Sequence, residues 1–198
     1  DLTLGLPAIT SGQSGMNAMA HAVESLYGAD RSPVVETQAE EAVRLLGASL
    51  PRVVAKPDDI DARTDVFYGA WLAAAFRAQV GVEHAIAQNV RRRFGLSHAG
   101  AHAVMVPYSI AFNRDAAKSA MLRIERALCT ADAGLGLYDL NRRLGIPTGL
   151  KDLGMKASDI EAAVDVVAAT PIANPRPVSR ADLVELITQA WHGEAPRF

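Results

Sequence analysis

The chain has 198 residues, 49% of them apolar, enough for one medium domain with a substantial core. Its formal net charge of -2 gives no global field to attract nucleic acid, and no apolar run reaches the roughly eighteen residues a membrane span needs. The single cysteine, Cys129, excludes an internal disulfide and points to a reducing compartment, so the cytoplasm is expected.

The chain opens DLTLGLPAITSG, without the basic-then-apolar pattern of a secretory signal and without Met. That start points to processing, cleavage or excision from a longer chain. The spacing predicts a helix near 15 to 29, then one whose buried stripe is Val35, Ala39, Ala42, Val43, Leu46 and Leu50. Further helices are predicted near 60 to 80 and 117 to 128, with a short one near 136 to 144 before Gly145 and Pro147. Ser158 with Glu161 and Ser179 with Asp182 are spaced as capping boxes for two C-terminal helices. Between these lies NPRPV, Asn174 to Val178, whose prolines forbid a continuous helix and make a rigid connector. No run alternates as strands do, so residues 1–198 read as a single all-α domain.

The chemistry concentrates in histidines. In SGMNAMAHAVESLY, Asn17 and His21 stand four apart, one turn of a helix on one face. HAIAQNVRRRFGLSH adds His84 and His98, fourteen apart, with Gln88 and three arginines between them. Three imidazoles and an amide from separate helices could converge on zinc or iron, as bundle-core sites do, although single histidines on apolar helices are commonly core residues.

The segments TLGLP, SGMNAMAHAVESLY, YGAWL, FGLSHAGAHAVMVPYSIAFN and NPRPV occur in the order they take in the maleylacetate reductases. Together they span almost the whole chain, which resembles the C-terminal helical domain of that group within the iron-containing alcohol dehydrogenase superfamily. The implied fold is an all-α, dehydroquinate synthase-like helical bundle. The superfamily's ligand set, an aspartate, a histidine four later and two histidines fourteen apart, falls on Asn17, His21, His84 and His98. Asparagine in place of aspartate removes the compensating charge, so no tightly held metal is expected, iron or zinc being the ions the imidazoles would otherwise suit.

The resemblance further implies reduction of the carbon-carbon double bond of 2-maleylacetate to 3-oxoadipate, with His21, His84 and His98 catalytic and a homo-oligomeric assembly. A small anionic substrate would then meet Asn17, Gln88, Arg91, Arg92, His102 and Tyr108. NAD(P)H is expected only where a separate dinucleotide-binding chain or domain supplies its site. Gly134 and Gly136 lack the preceding strand and later glycine of that fingerprint, and the family's N-terminal domain has no equivalent in the chain.

Departures from the family pattern gather in one region. Gln88 stands where a histidine is usual, Arg91 and Arg92 where a glycine pair is usual, Ser97 in place of proline, and Tyr108 in place of histidine. Each has a plainer reading. The arginines could offset a helix C-terminus, His102 could support rather than react, and Tyr108 and Trp71 could be core aromatics. Arg176 reads as a carboxylate clamp or a structural ion pair, His192 as surface, and Cys129 as buried and inert. Two further functions stand beside the reductase: a redox-free lyase, isomerase or cyclase on an anionic substrate, and a non-catalytic subunit.

Overall fold

The computed structural model describes residues 3–75 and 80–198. Over these the chain is all-α: α1 (Ala8–Ser25), α2 (Pro33–Ala55), α3 (Ile60–Ala74), α4 (Val82–Phe94), α5 (His98–Phe112), α6 (Lys118–Leu128), α7 (Ala133–Arg143), α8 (Ile160–Ala168) and α9 (Arg180–His192). No strand occurs among the described residues.

The helix α5 organises the rest. Every residue from Gly100 to Phe112 is buried, so the helix is apolar all round and carries no amphipathic stripe. Ala103, Val106 and Ile110 join one core, built with Met16, Val23, Leu46, Leu50, Ile124 and Leu137. Val104, Met105, Tyr108 and Phe112 join a second, with Ile86, Val90, Val164, Leu186 and Ile187. Helices α1, α2, α6 and α7 thus lie on one side of α5, and α4, α8 and α9 on the other. Pro107 lies inside α5 and has no N–H to give the Ala103 carbonyl one turn back. The fully buried Asn141 of α7 fills that gap, its Nδ2 donating to Ala103 O at 2.6 Å.

Local chemistry explains where the helices differ from their predicted bounds. α1 begins well before 15, at Ala8 after Pro7, and ends at Ser25 rather than 29. Apolar periodicity starts only at Met16, but the preceding small residues are held helical by packing on α2. A Cβ on Gly15 would lie 2.2 Å from Leu50 Cδ2. α7 starts early because Asp132 caps it, accepting from Leu135 N–H at 2.8 Å. α3 ends at Ala74, and residues 76–79 of the predicted 60 to 80 helix lie outside the described residues. The Ser158/Glu161 box does not form: Asp159 instead accepts from Lys156 N–H at 2.9 Å in a short 3-10 turn, and Glu161 pairs with Arg180. The Ser179/Asp182 box forms in both directions.

Four other readings are settled by exposure or by contacts. Trp71 is 56% exposed and stacks on Tyr68 rather than in the core. Cys129 is also exposed, because it terminates α6 in the left-handed conformation with φ 53°. His192 is at the surface as expected, and Arg176 is structural, pairing with Asp182 at 2.9 Å and lying over the Phe112 ring. No helix among the described residues is long and apolar enough to cross a membrane.

Candidate active site

α1, the start of α4 and the start of α5 meet at one point, and each brings an imidazole. His21 comes from α1, His84 from the first turn of α4, and His98 and His102 from the first two turns of α5. The ring centroids of His21 and His84 are 4.3 Å apart, those of His84 and His102 4.7 Å, and those of His98 and His102 4.6 Å. The three histidines expected to be catalytic are therefore in one row, linked by the fourth. His84 and His102 are buried; His21 and His98 reach solvent at the two ends.

Two carboxylates that the sequence reading did not single out hold the row in place. Glu24, 1% exposed on α1, serves as the N-terminal cap of α4, whose own cap residue is Gly81. It accepts from Gly81 N–H at 2.7 Å and Glu83 N–H at 3.0 Å, satisfying donors that a helix start leaves open. Only glycine fits there, since a Cβ on residue 81 would meet Glu24 Oε1 at 2.9 Å and Asn174 Oδ1 at 3.0 Å. The same Glu24 accepts from His84 Nδ1 at 2.8 Å. Glu83, also 1% exposed, lies 2.8 Å from His84 Nδ1 and 3.0 Å from His102 Nδ1. A clue was present in the sequence: Glu24 is one turn from His21 on the same face, and Glu83 adjoins His84.

These contacts fix the orientation of the rings. With Nδ1 committed to carboxylates, the Nε2 atoms face the other way, and His84 Nε2 stands 3.3 Å from His21 Nε2. Burial alone would lower the His84 pKa, but Glu83 and Glu24 outweigh it and raise it to about 10. The proton then sits on His84 and is shared with the His21 lone pair. Burial of its inner face, reinforced by charged His84, lowers His21 to about 4. Burial raises Glu83, but His102 and His84 reverse this and hold the carboxyl ionised. His98 is lowered, first by partial burial, then by His102 and Arg91.

Asn17 lies one turn before His21, and its Oδ1 is buried without a partner, as is His102 Nε2. The 3.3 Å spacing of the two Nε2 atoms suits a hydrogen bond, and equally two ligands of one ion with bonds of about 2.0–2.1 Å. Asn17, His21, His84 and His98 offer neutral donors, while Glu24 and Glu83 are turned to Nδ1 atoms and backbone N–H groups, where they orient the rings and raise their basicity. Glu83, His84 and His102 also cluster closely enough for an ion, but their donor atoms already face one another in hydrogen bonds.

The remaining expected residues divide. Gln88 and Arg91 follow His84 at one and two turns along α4 and are half-buried; Arg92 is exposed on the flank. Arg91, Arg92 and Arg93 occupy the last turn of α4 before the left-handed Gly95, as the dipole reading expected. Tyr108 is not brought to the cluster. It lies ten positions beyond His98, fully buried, with its hydroxyl donating to Glu194 O at 2.7 Å, so the expectation of a substrate contact is corrected to a structural role. Burial pushes its pKa up further.

Residues 11–191 match the profile of the Fe-containing alcohol dehydrogenase family, C-terminal. The chain belongs to this iron-containing alcohol dehydrogenase family. Within the family it is 43% identical over 198 residues to a maleylacetate reductase of Burkholderia cepacia, covering 99% of this chain and 56% of that protein. Identity to the Sphingobium indicum maleylacetate reductase is 40% over the same shares. The crystal structure of maleylacetate reductase from Rhizobium sp. strain MTP-10005 superposes with a TM-score of 0.95 at 38% identity, over 99% of this chain and 56% of that one. A 1,3-propanediol oxidoreductase structure superposes at 0.88 with 28% identity, over 95% and 53%. The chain thus spans about half the length of the curated family members it matches.

Proposed function

We propose that this chain supplies the proton-handling and anion-binding wall of a maleylacetate-reductase-type oxidoreductase acting on an unsaturated keto-diacid without a tightly bound metal. The observation that carries the reading is the hydrogen-bonded chain Glu24–His84–His21, with links of 2.8 Å and 3.3 Å running from the buried interior to solvent. NAD(P)H, held by a segment or partner outside these residues, would supply the hydride to one carbon of the double bond.

The residues of this chain provide what that transfer leaves over. Glu24 and Glu83 keep a proton on His84, and His84 Nε2–H is directed at His21 Nε2. His21, at the exposed end, passes a proton to the neighbouring carbon and is replenished from His84. His98, at the other end, offers an N–H to the substrate oxygen on which charge develops. The Asn17 amide adds a neutral hydrogen-bonding edge one turn from His21.

The test is NADH oxidation with 2-maleylacetate, with a dinucleotide-binding segment supplied. Turnover is expected, reduced by about 10²–10⁴ in His21→Ala or His98→Ala. No turnover with an intact cofactor site supplied would sink the reading. A second reading, redox-free acid–base chemistry on an anionic substrate, is favoured by Gln88 and Arg91, which follow His84 along the same face of α4. Product formation without any NAD(P)H would select it.

A further inference from the structure

Two buried polar groups without a hydrogen-bond partner, Arg63 Nη2 on α3 and Ser11 Oγ on α1, belong to residues that line one cavity. It holds about 120 Å³ between α1, α2 and α3, with Leu6, Val53 and Val66 among its apolar walls. Arg63 and Ser11 are each 7% exposed. Arg63 Nε–H donates to Pro57 O, which fixes the guanidinium but leaves Nη2 without an acceptor. Among the described residues no carboxylate pairs with it, Asp59 and Asp65 being taken by Arg52. A covered donor without an acceptor is costly, and a buried cation without a counter-charge more so. A water would satisfy the donor and leave the charge uncompensated. Arg63, Thr3 and Phe67 also line an outer hollow of about 340 Å³, walled by Ile60, Tyr68 and Trp71, so the two hollows form one cleft. Phe67, Tyr68 and Trp71 are 63%, 49% and 56% exposed, and no other aromatic among the described residues is as open to solvent. The Tyr68 and Trp71 rings lie within 15° of parallel and make a flat wall. Exposed apolar groups gathered in this way mark a contact site. Ser11 precedes His21 by ten residues of α1, about 15 Å along the helix, so the cleft is separate from the imidazole row.

We infer that this cleft on α3 is a second binding site, built for a small amphipathic monocarboxylate that carries an aromatic ring. The carboxylate seats in the inner hollow, where Arg63 Nη2–H and Ser11 Oγ–H donate to it and its charge offsets the guanidinium. A short methylene chain passes Phe67, and the ring lies in the outer hollow against the flat wall of Tyr68 and Trp71. The outer volume is at the lower end of the range of small-molecule sites, about 300–1,000 Å³, which suits one ring and excludes a larger ligand from full burial. The site uses none of the histidines and does not rest on the proposed function.

The experiment is calorimetric titration of the purified protein with 3-phenylpropanoate, its neutral amide 3-phenylpropanamide, and acetate. It is repeated with Arg63→Met, Ser11→Ala, Trp71→Ala and, as a control on the exposed face of α6, Leu122→Ala, each checked for an unchanged helical spectrum. Saturable 3-phenylpropanoate binding is expected, weakened about tenfold to a hundredfold in Arg63→Met, the range for losing a charged hydrogen-bonded contact. Trp71→Ala should weaken it about threefold to tenfold, the range for one aromatic contact. Ser11→Ala should weaken it too, Leu122→Ala should match the unmodified protein, and the amide and acetate should both bind more weakly than 3-phenylpropanoate. Should Arg63→Met fail to fold, the amide and Ser11→Ala test the same contact. Absence of saturable binding, equal affinity for the acid and its amide, or equal effects of Trp71→Ala and Leu122→Ala would each overturn the inference. A dimer in sedimentation that Trp71→Ala dissociates and 3-phenylpropanoate leaves intact would also overturn it, assigning the face to a second copy of the chain.

Discussion

His84 Nδ1 stands 2.8 Å from Glu24 Oε2, joining a residue at the start of α4 to one near the end of α1 across 60 positions of sequence. That contact serves three purposes at once, because the same carboxylate also caps α4 through Gly81 and Glu83 N–H. Glu24→Gln should therefore cost stability on the order of 3–5 kcal/mol, read as a lower denaturation midpoint. It should also lower the pH at which His84 loses its proton, followed through the imidazole C–H resonances. A His84 titration unmoved by the substitution would show that the carboxylate is only a cap.

The proton on His84 links stability to pH in a definite direction. In the fold the group titrates near 10, whereas an unfolded histidine titrates near 6.5. Its contribution is fully present below about pH 6.5 and disappears as pH rises toward about 10. His21 acts oppositely, being lowered to about 4, so stability should also decline as pH falls from about 6.5 toward 4. Denaturant melts across pH should give a maximum near neutrality, and His84→Gln should flatten the alkaline limb. An alkaline limb of equal slope in that variant would contradict the assignment.

A carboxylate is the ligand type that Asn17, His21, His84 and His98 do not include. Asn17→Asp would place a carboxylate one turn before His21 on α1, where the Asn17 Oδ1 is buried without a partner. Zinc or ferrous iron should then bind at least about tenfold more tightly than to the unmodified protein, measured by competition with a chelator. Stoichiometric metal retained by the unmodified protein through dialysis against that chelator would refute the metal-free reading.

Gly81 offers a separate check on the cap. Because a Cβ would meet Glu24 Oε1 at 2.9 Å, Gly81→Ala should displace that carboxylate although no charged group is removed. A loss of about 1–3 kcal/mol is expected, together with a lowered His84 titration. A neutral effect would mean that Glu24 has room to retreat.

The parts of the fold that could be read from sequence are those where one physical rule acts alone. α2 and α6 declare themselves by apolar spacing, and α9 by its reciprocal Ser179–Asp182 cap. α5 could not be delimited that way, since a helix buried on every side has no stripe and contains Pro107 besides. Trp71 and Cys129 were misplaced for a related reason: residue type suggests burial, but which face of α3 is covered, and which conformation ends α6, depend on tertiary packing. At the site, resemblance singled out the imidazoles, which lie in one row. The acids that orient them escaped notice because Glu24 and Glu83 look like ordinary surface charges until the helices bring them inside. Tyr108 was assigned to the cleft from its departure from the family pattern, whereas its backbone position points it to the Thr148 and Glu194 carbonyls.

The helix α5 is wall to two cores, and this ties their fates together. Neither half can loosen without stripping apolar cover from one flank of the shared helix, so unfolding should be a single cooperative event. Its amides should be among the slowest in the protein to exchange with solvent. His98 and His102 grow from the end of that slowest-opening element, which lets the site keep its spacing while the arginine-bearing end of α4 is free to vary.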